Sequence, residues 1–288
     1  MGFDIQRSLA ILLGSSLRYF VVAGIAWLLA YVWFRKKWAH RKIVQRMPDV
    51  SDISREVLWS CSTLLIFAFI GTLTYHATMA GWTRMYFEVP LYGWTWFWTS
   101  VVLAILLHDT WFYWTHRAMH HPRLFKVFHR VHHQSTNPTP WAAFAFSPLE
   151  AEIQGLIVPL VIFVIPIHPI AFLLFSLWQM VLNVTGHTGY EYNRPELLRS
   201  RLWRWVNTPT HHALHHEYVR GNYGLYFNFW DRWMGTNQAR NVERFEEVTT
   251  RAPRPVAPEL EPNPALESGM LAAAATGSGL HRAEPPLS

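Results

Sequence analysis

The chain has 288 residues, of which 51% are hydrophobic, 16% aromatic and only 15% charged, and its formal net charge is +6. Ordinary soluble domains carry roughly 25% charged residues, so this composition argues against a disordered, fibrous or coiled-coil protein and indicates a basic membrane protein. The single cysteine, Cys61, argues against a disulfide-stapled secreted module, and the 16 histidines indicate a chemistry that uses many imidazoles.

Three segments have the length and composition of membrane-spanning helices, since a span needs about 20 apolar residues to cross a hydrocarbon core of about 30 Å. They are residues 9–34, 57–80 and 91–114. A fourth apolar region, 156–184, is interrupted by His168-Pro169, so neither half is comfortable as a full span. For this region we predict a helical hairpin that dips into the membrane and returns, or two short tilted spans.

The distribution of lysine and arginine predicts the orientation in the membrane. The loop 35–56 contains seven such residues and the loop 81–90 only one, so the first is expected to be cytoplasmic and the second external. All histidine clusters then lie on the cytoplasmic side. The predicted fold class is all-α: an integral membrane helical bundle of about three spans plus a helical hairpin, with a cytoplasmic His-rich helical cap.

Nine histidines form a candidate metal centre because their spacings place several imidazoles on one helix face. One pair is separated by four residues, the pattern HxxHH occurs twice, and a single histidine follows Asn183 by four residues. Together they supply enough ligands for two metal ions. The nine candidates are His116, His120, His129, His132, His133, His187, His212, His215 and His216.

The chemistry of this set restricts the choice of metal. Structural zinc sites commonly include cysteine, and no cysteine lies near these histidines in the sequence. The HExxH motif of zinc proteases and the Glu-x-x-His pairs of ferritin-like di-iron proteins do not occur in the sequence. A two-metal site made wholly or almost wholly of histidine remains, and redox-active iron fits it. Isolated histidines near an interface are usually polar tips of amphipathic helices, so we assign no role to His40, His76, His168 and His281.

Several motifs occur together between residues 109 and 236. They are DTWFYWTHRAMH (109–120), HRVHH (129–133), PTPWAAFAFSPLE (138–150), NVTGHTG (183–189), PTHHALHH (209–216), NYG (222–224) and WDRWMGT (230–236). In combination they are highly specific, and they resemble the fatty acid hydroxylase/sterol desaturase superfamily of membrane di-iron oxygenases. Ser147 stands where the sterol C-5 branch commonly has histidine, which leaves the branch open.

The resemblance implies an O2-dependent oxidoreductase with two iron ions that attacks a C–H bond of a membrane lipid. We favour a hydroxylase of a sterol, fatty acyl or other lipid in lipid biosynthesis or modification, with sterol-type desaturation at the same site as the alternative. The expected organisation is N-terminal transmembrane helices at 1–90, a catalytic domain at 91–249 and a disordered tail at 250–288. The hairpin and the third span are expected to form the substrate slot, with Trp111, Phe112, Tyr113 and Trp141 as candidate walls or interface anchors.

The sequence contains no recognisable haem, flavin or dinucleotide module, so the electrons are expected from a separate ferredoxin or cytochrome with its reductase. No nucleic-acid partner is expected. A bacterial inner membrane is favoured as the location, with the endoplasmic reticulum second. A non-catalytic metal-binding protein or transporter is the alternative of another class, although it would place ionisable residues at mid-depth in several spans.

Other polar residues near the boxes are weighed separately. Asp109, seven residues before His116, could orient an imidazole N–H or be a cap or interface charge. The motif assigns the third-box ligand to His212, while His211 stays open. His108 lies about 12 Å from His116 along a helix and is left out, and His121 is expected to face away. Glu150 and Glu152 could be ligands or proton relays, but solvated charges at the hairpin entrance are favoured.

Overall fold

The computed structural model describes residues 4–253, and this part of the chain is helical, with isolated β-bridges but no strands. The predicted tail lies outside the described residues from position 254 onward. The α-helices are α1 (Ile5–Trp27), α2 (Arg35–Trp38), α3 (Val50–Met79), α4 (Gly93–Met119), α5 (Pro122–Phe128), α6 (Arg130–His133), α7 (Pro148–Gly155), α8 (Ile157–Val164), α9 (Pro169–Gly186), α10 (Pro209–Tyr218), α11 (Phe229–Trp233) and α12 (Asn241–Thr250).

Three helices in the described part of the chain are long and apolar enough to cross a membrane, so the protein is a multi-pass membrane protein. They are Ile5–Trp33, in which α1 continues as a π-helix, Val50–Met79 and Pro169–Gly186. The third of these is the second half of the predicted hairpin region, and its length agrees with the short span that was one of the two alternatives for this region. Pro169 at the first turn and the N-cap His168 start a helix of 18 residues, about 27 Å long.

The predicted third span is a helix, but it is not among the three. Helix α4 has 27 residues and runs past Trp114 to Met119 without a break. Its mean hydropathy stays below that of the three spans, because threonine and tryptophan lie at its start and His108 and Asp109 in its second half. The continuous helix carries the first histidine box directly at its C-terminal end.

The spans pack around the loop that precedes α7. The Tyr19 hydroxyl on α1 donates to the backbone carbonyl of Trp141 at 2.7 Å and lies 2.9 Å from Ser60 Oγ on α3. Its ring stacks on Phe144 with centroids 4.7 Å apart. These contacts fix the 3-10 helix Pro140–Phe144 against two spans, and this helix leads directly into α7.

Helix α7 begins at a strong start signal. Ser147 is its N-cap, its hydroxyl accepts from the backbone N–H of Glu150, and Pro148 occupies the first helical position. A Cβ added at Gly155 would lie 2.6 Å from Ile70 Cδ1, so the missing side chain lets α7 approach α3 closely. This packing directs one face of α7 toward the histidine boxes.

Candidate metal centre

The structure brings all nine predicted histidines together, in two adjacent groups. Within each group the candidate ligand nitrogens lie within 4.8 Å of one another. The five-His group consists of His116, His120, His129, His133 and His215. The four-His group consists of His132, His187, His212 and His216.

The five-His group joins the end of α4, the α5–α6 junction and α10. Nε2 of His116 lies 2.9 Å from Nε2 of His129 and 3.3 Å from Nε2 of His120. Nε2 of His133 lies 3.0 Å from Nε2 of His215, which is 82 residues away in the chain. Four of the five imidazoles are buried and His120 is partly buried, so the group is largely shielded from solvent.

The four-His group joins α6, the C-terminal end of α9 and α10. Nε2 of His187 lies 2.9 Å from Nε2 of His212 and 3.2 Å from Nε2 of His132. His212 and His216, four residues apart on α10, have Nε2 atoms 3.1 Å apart. All four imidazoles are buried.

Three imidazoles are oriented by backbone carbonyls. Nδ1–H of His116 donates to the carbonyl of Tyr223, that of His187 to Asn183 and that of His215 to Gly221, each at 2.8 Å. A carbonyl can only accept, so Nδ1 carries the proton and Nε2 directs a lone pair into its group.

Converging lone pairs about 3 Å apart repel unless a cation lies between them. At a metal–nitrogen distance of about 2.1 Å, two imidazole nitrogens at right angles around one ion are about 3 Å apart. The Nε2 separations in both groups match this spacing, and the donor set fits a first-row transition metal in each group.

The environment keeps these imidazoles neutral. Burial, opposed in part by backbone hydrogen bonds, lowers the pKa of His187 to about 4 and that of His215 to about 4. Burial and the neighbouring histidines hold the pKa of His132 and His212 well below the ordinary value. Neutral imidazole is the form that binds metal, so at neutral pH these ligands can bind metal without first losing a proton.

Glu150 contacts the centre directly, which overturns the expectation that it is a solvated charge. Its side chain is only 1% exposed, and its Oε1 accepts from Nδ1–H of His129 at 2.6 Å. Burial raises the pKa of Glu150 well above its ordinary value. The helical start at Ser147 turns this side chain inward, whereas Glu152 is exposed as expected.

Asp109 is buried on α4, but its hydrogen bonds go to a loop rather than to an imidazole. Its Oδ1 accepts from the backbone N–H of Tyr226 at 2.8 Å and of Phe227 at 3.4 Å. The neighbouring Tyr226 hydroxyl lies 2.7 Å from Nδ1 of His108. Asp109 therefore positions the chain that follows the NYG motif, and its predicted direct contact with an imidazole is not observed.

Asp231 is a supporting residue that sequence reasoning missed. This buried carboxylate accepts from the backbone N–H of Tyr223 at 2.9 Å and of Gly224 at 2.7 Å, and from the hydroxyl of Thr236 at 2.7 Å. It thereby holds the Tyr223 carbonyl that orients His116. The WDRWMGT motif was the signal that could have identified it.

The structure also places the histidines that the sequence left open. His211 is buried on α10 but belongs to neither group, in agreement with the assignment to its neighbour His212. His108 is buried outside both groups. His121 is exposed, and its side chain accepts from the backbone N–H of Arg123 at the start of α5.

An apolar cavity of about 390 Å³ lies between the long helices, and some of its lining residues border the centre. Two of its lining residues also contact the ligand histidines. The ring of Phe112 is 4.9 Å from that of His116, and the ring of Phe146 is 5.2 Å from that of His132. One aromatic side chain of the lining thus separates the cavity from each group.

The helices around the cavity agree in part with the predicted substrate slot. The lining includes residues of α4 and of the hairpin region, as expected, and also Leu64, Phe67 and Gly71 of α3. Of the four candidate aromatic walls, only Phe112 lines this cavity. Trp111 donates to the carbonyl of Ile153, and Tyr113 is buried against Trp230.

Comparisons with known proteins agree with this geometry. The model of the fatty acid hydroxylase family matches residues 101–236. The chain is 28% identical to a Delta(7)-sterol 5(6)-desaturase of Gibberella zeae, over 82% of this chain and 71% of that protein. It is 31% identical to a Delta(7)-sterol 5(6)-desaturase of Aspergillus fumigatus, over 62% of this chain and 61% of that protein.

A mammalian protein is similar to a comparable extent. The lathosterol oxidase of Mus musculus is 28% identical over 78% of this chain and 72% of its own length. No solved structure matches the chain significantly. The matched region contains all nine grouped histidines. The chain is therefore similar to the fatty acid hydroxylase family over residues 101–236, and to sterol 5(6)-desaturases over most of its length.

Proposed function

We propose that this protein is an O2-dependent, di-iron membrane oxidoreductase that oxidises a C–H bond of a lipid. The observation that carries the proposal is the meeting of two imidazole groups with the end of an apolar cavity, at Phe112 and Phe146. Metal ligands in a protein that only stores or carries ions have no need of a lipid-sized apolar cavity beside them.

Each imidazole group is proposed to hold one iron ion. Iron bound by nitrogen ligands supplies the chemistry of O2 reduction and C–H oxidation, which side chains alone cannot perform. The all-imidazole donor set, without thiolate, supports a redox-active first-row metal over a structural zinc site.

The residues of this chain set the geometry for that chemistry. Glu150 and the carbonyls of Asn183, Gly221 and Tyr223 hold ligand imidazoles in one tautomer and one orientation. The apolar lining of the cavity keeps water from the reacting carbon, and its walls hold the lipid chain so that one C–H bond faces the centre.

The lipid class is supported by the cavity and by the names of the relatives. Its apolar lining and volume of about 390 Å³ suit a sterol or an acyl chain. The sequence favours hydroxylation, as does the name of the matching family. Sterol-type desaturation is the second candidate, favoured by relatives named as sterol 5(6)-desaturases.

Electrons are proposed to come from a separate ferredoxin or cytochrome with its reductase. The relatives reported above belong to two fungi and a mouse, which favours the endoplasmic reticulum over the bacterial inner membrane that the sequence suggested. Placement of the histidine groups on the cytoplasmic side rests on the lysine and arginine counts alone.

The test is comparative lipid mass spectrometry of cells that express the wild type or single variants, grown with candidate sterols and fatty acids. His133→Ala and His216→Ala each remove a ligand from a different group and are expected to abolish the product. A product heavier by one oxygen identifies a hydroxylase, and a product lighter by two hydrogens identifies a desaturase.

The matched control is His211→Ala, which removes an equally buried imidazole from α10 but from neither group. It is expected to keep the lipid product and the metal content. A protein that carries two metals and consumes no O2 with any reduced donor, while all lipids stay unchanged, would overturn the proposal in favour of a metal-binding protein or transporter.

A further inference from the structure

One buried amide in the cavity has no hydrogen-bond partner. Gln154 lies on α7, is 6% exposed and lines the cavity, and neither its Oε1 nor its Nε2 has a partner. A buried polar group without a partner costs about 1–3 kcal/mol, so such groups are rare in folded proteins. An unpaired amide that lines a cavity is placed to form hydrogen bonds with a ligand in that cavity.

Several polar residues of the lining differ from Gln154 because their side chains are bonded within the protein. The hydroxyl of Thr74 donates to Ile70, and the amide of Asn183 donates to Ala143. Arg18 donates through Nε to the carbonyl of Gly14 on its own helix. Both atoms of the Gln154 amide are enclosed by the protein and lack a partner, which holds for no other amide in the described lining.

The position of Gln154 relates this amide to the metal centre. It follows Glu150 by four residues on α7, which is one helical turn or about 6 Å. Glu150 contacts His129 of the five-His group at 2.6 Å. The Glu150 carboxyl contacts the metal centre. A ligand group that is hydrogen-bonded to the Gln154 amide would lie about one helical turn farther from that centre.

We infer that Gln154 binds a hydroxyl group of the lipid substrate and so selects which carbon faces the metal centre. The amide oxygen accepts from the hydroxyl and the amide N–H donates to it, which satisfies both orphan atoms with one neutral partner. The oxidised carbon then lies only a few bonds from that hydroxyl. This inference rests on the proposed function, because it takes the cavity to be the lipid site.

The experiment measures binding of two probes to the iron-loaded, full-length protein in lipid nanodiscs. Cholestanol and 5α-cholestane differ only in the 3β-hydroxyl, and their affinities are measured by competition with tritiated cholestanol. The wild type is expected to prefer cholestanol about ten-fold, the usual effect of one buried hydrogen bond. Gln154→Leu is expected to bind both probes almost equally.

Two further variants make the test specific. Gln179→Leu removes another amide that lines the cavity, from α9, and is expected to keep the ten-fold preference. Gln154→Glu keeps the length of the side chain and an accepting oxygen, and is expected to keep most of the preference. Iron content confirms that each variant folds, and if Gln154→Leu does not fold, Gln154→Met replaces it with the same expected loss of preference.

Any of three results would overturn the inference. The first is a Gln154→Leu protein that still prefers cholestanol ten-fold. The second is a wild-type protein that binds both probes equally. The proposed lipid oxidation would then still be tested separately, by the mass-spectrometry comparison. A wild type that binds neither probe yet oxidises fatty acids would reject the hydroxyl contact while the proposed function stands.

Discussion

The imidazole of His129 and the carboxyl group of Glu150 lie 2.6 Å apart, and both side chains are almost completely buried. His129 is also 2.9 Å from His116 through its other ring nitrogen. One imidazole thus connects the carboxyl group on α7 to the five-His group, so the strength and direction of this ligand depend on a residue outside the ligand set.

Glu150→Ala is expected to weaken metal binding in the five-His group by about 10–100-fold, because His129 loses the acceptor that fixes its tautomer. Metal content during a chelator titration measures this loss. Glu150→Gln keeps an accepting oxygen and should lose less.

Glu152→Ala is the matched control for this prediction, since Glu152 lies on the same helix but is exposed. Its metal content should equal that of the wild type. Equal metal retention in the Glu150→Ala and Glu152→Ala proteins would show that the contact with His129 does not support the ligand.

Asp231→Ala is expected to lower both the thermal stability and the metal affinity of the five-His group. The change leaves the backbone N–H groups of Tyr223 and Gly224 without their acceptor, and each orphaned buried group costs about 1–3 kcal/mol. Thermal melting of the metal-free and metal-loaded protein separates the two effects. Asp49→Ala, an exposed control, should change stability by less than about 0.5 kcal/mol, and a similar small change for Asp231→Ala would contradict the prediction.

Ser176→Phe is expected to reduce lipid turnover on the order of 100-fold, because a ring at this lining position displaces the substrate from the metal centre. The metal content should not change, since Ser176 contacts neither histidine group. Leu173→Phe places the same ring on the exposed face of α9, one turn away, and should leave turnover intact. Product yield per bound metal is the measurement, and equal yields from both variants would show that substrate does not use this cavity.

The metal-free protein is expected to lose stability as the pH falls from about 6.5 to 4. His187 and His215 have pKa values lowered to about 4 by burial, whereas the unfolded chain titrates near the ordinary value of 6.5. In this window the unfolded state binds more protons, so each such imidazole costs about 1.4 kcal/mol of stability per pH unit. Melting temperatures across this range measure the slope, and a flat profile for the metal-free protein would contradict it.

The short-range parts of this architecture follow from the sequence. Spacings of three and four residues identify the histidines that share a helix face, and all nine candidates lie in the two groups. Apolar length identifies α1 and α3 as spans. These features depend on helical periodicity and on local composition, which are properties of a few consecutive turns.

The contacts between residues that are distant in the chain could not be predicted from the sequence. Glu150 looks like a charge beside a polar turn, and only the packing of α7 against the second histidine box buries it. Asp231 acts through the backbone of residues eight and seven positions earlier in the chain. The division of the histidines into groups depends on which helices meet in space, so spacing alone could not assign it.

Neighbouring residues in the chain are ligands to different groups. His132 and His133 are consecutive, as are His215 and His216, and in each pair one imidazole enters the four-His group and the other the five-His group. An ion in one group therefore stiffens two short backbone segments that also serve the other. The two ions should bind cooperatively, so that cells with scarce iron would hold a mixture of empty and doubly loaded protein with few singly loaded molecules.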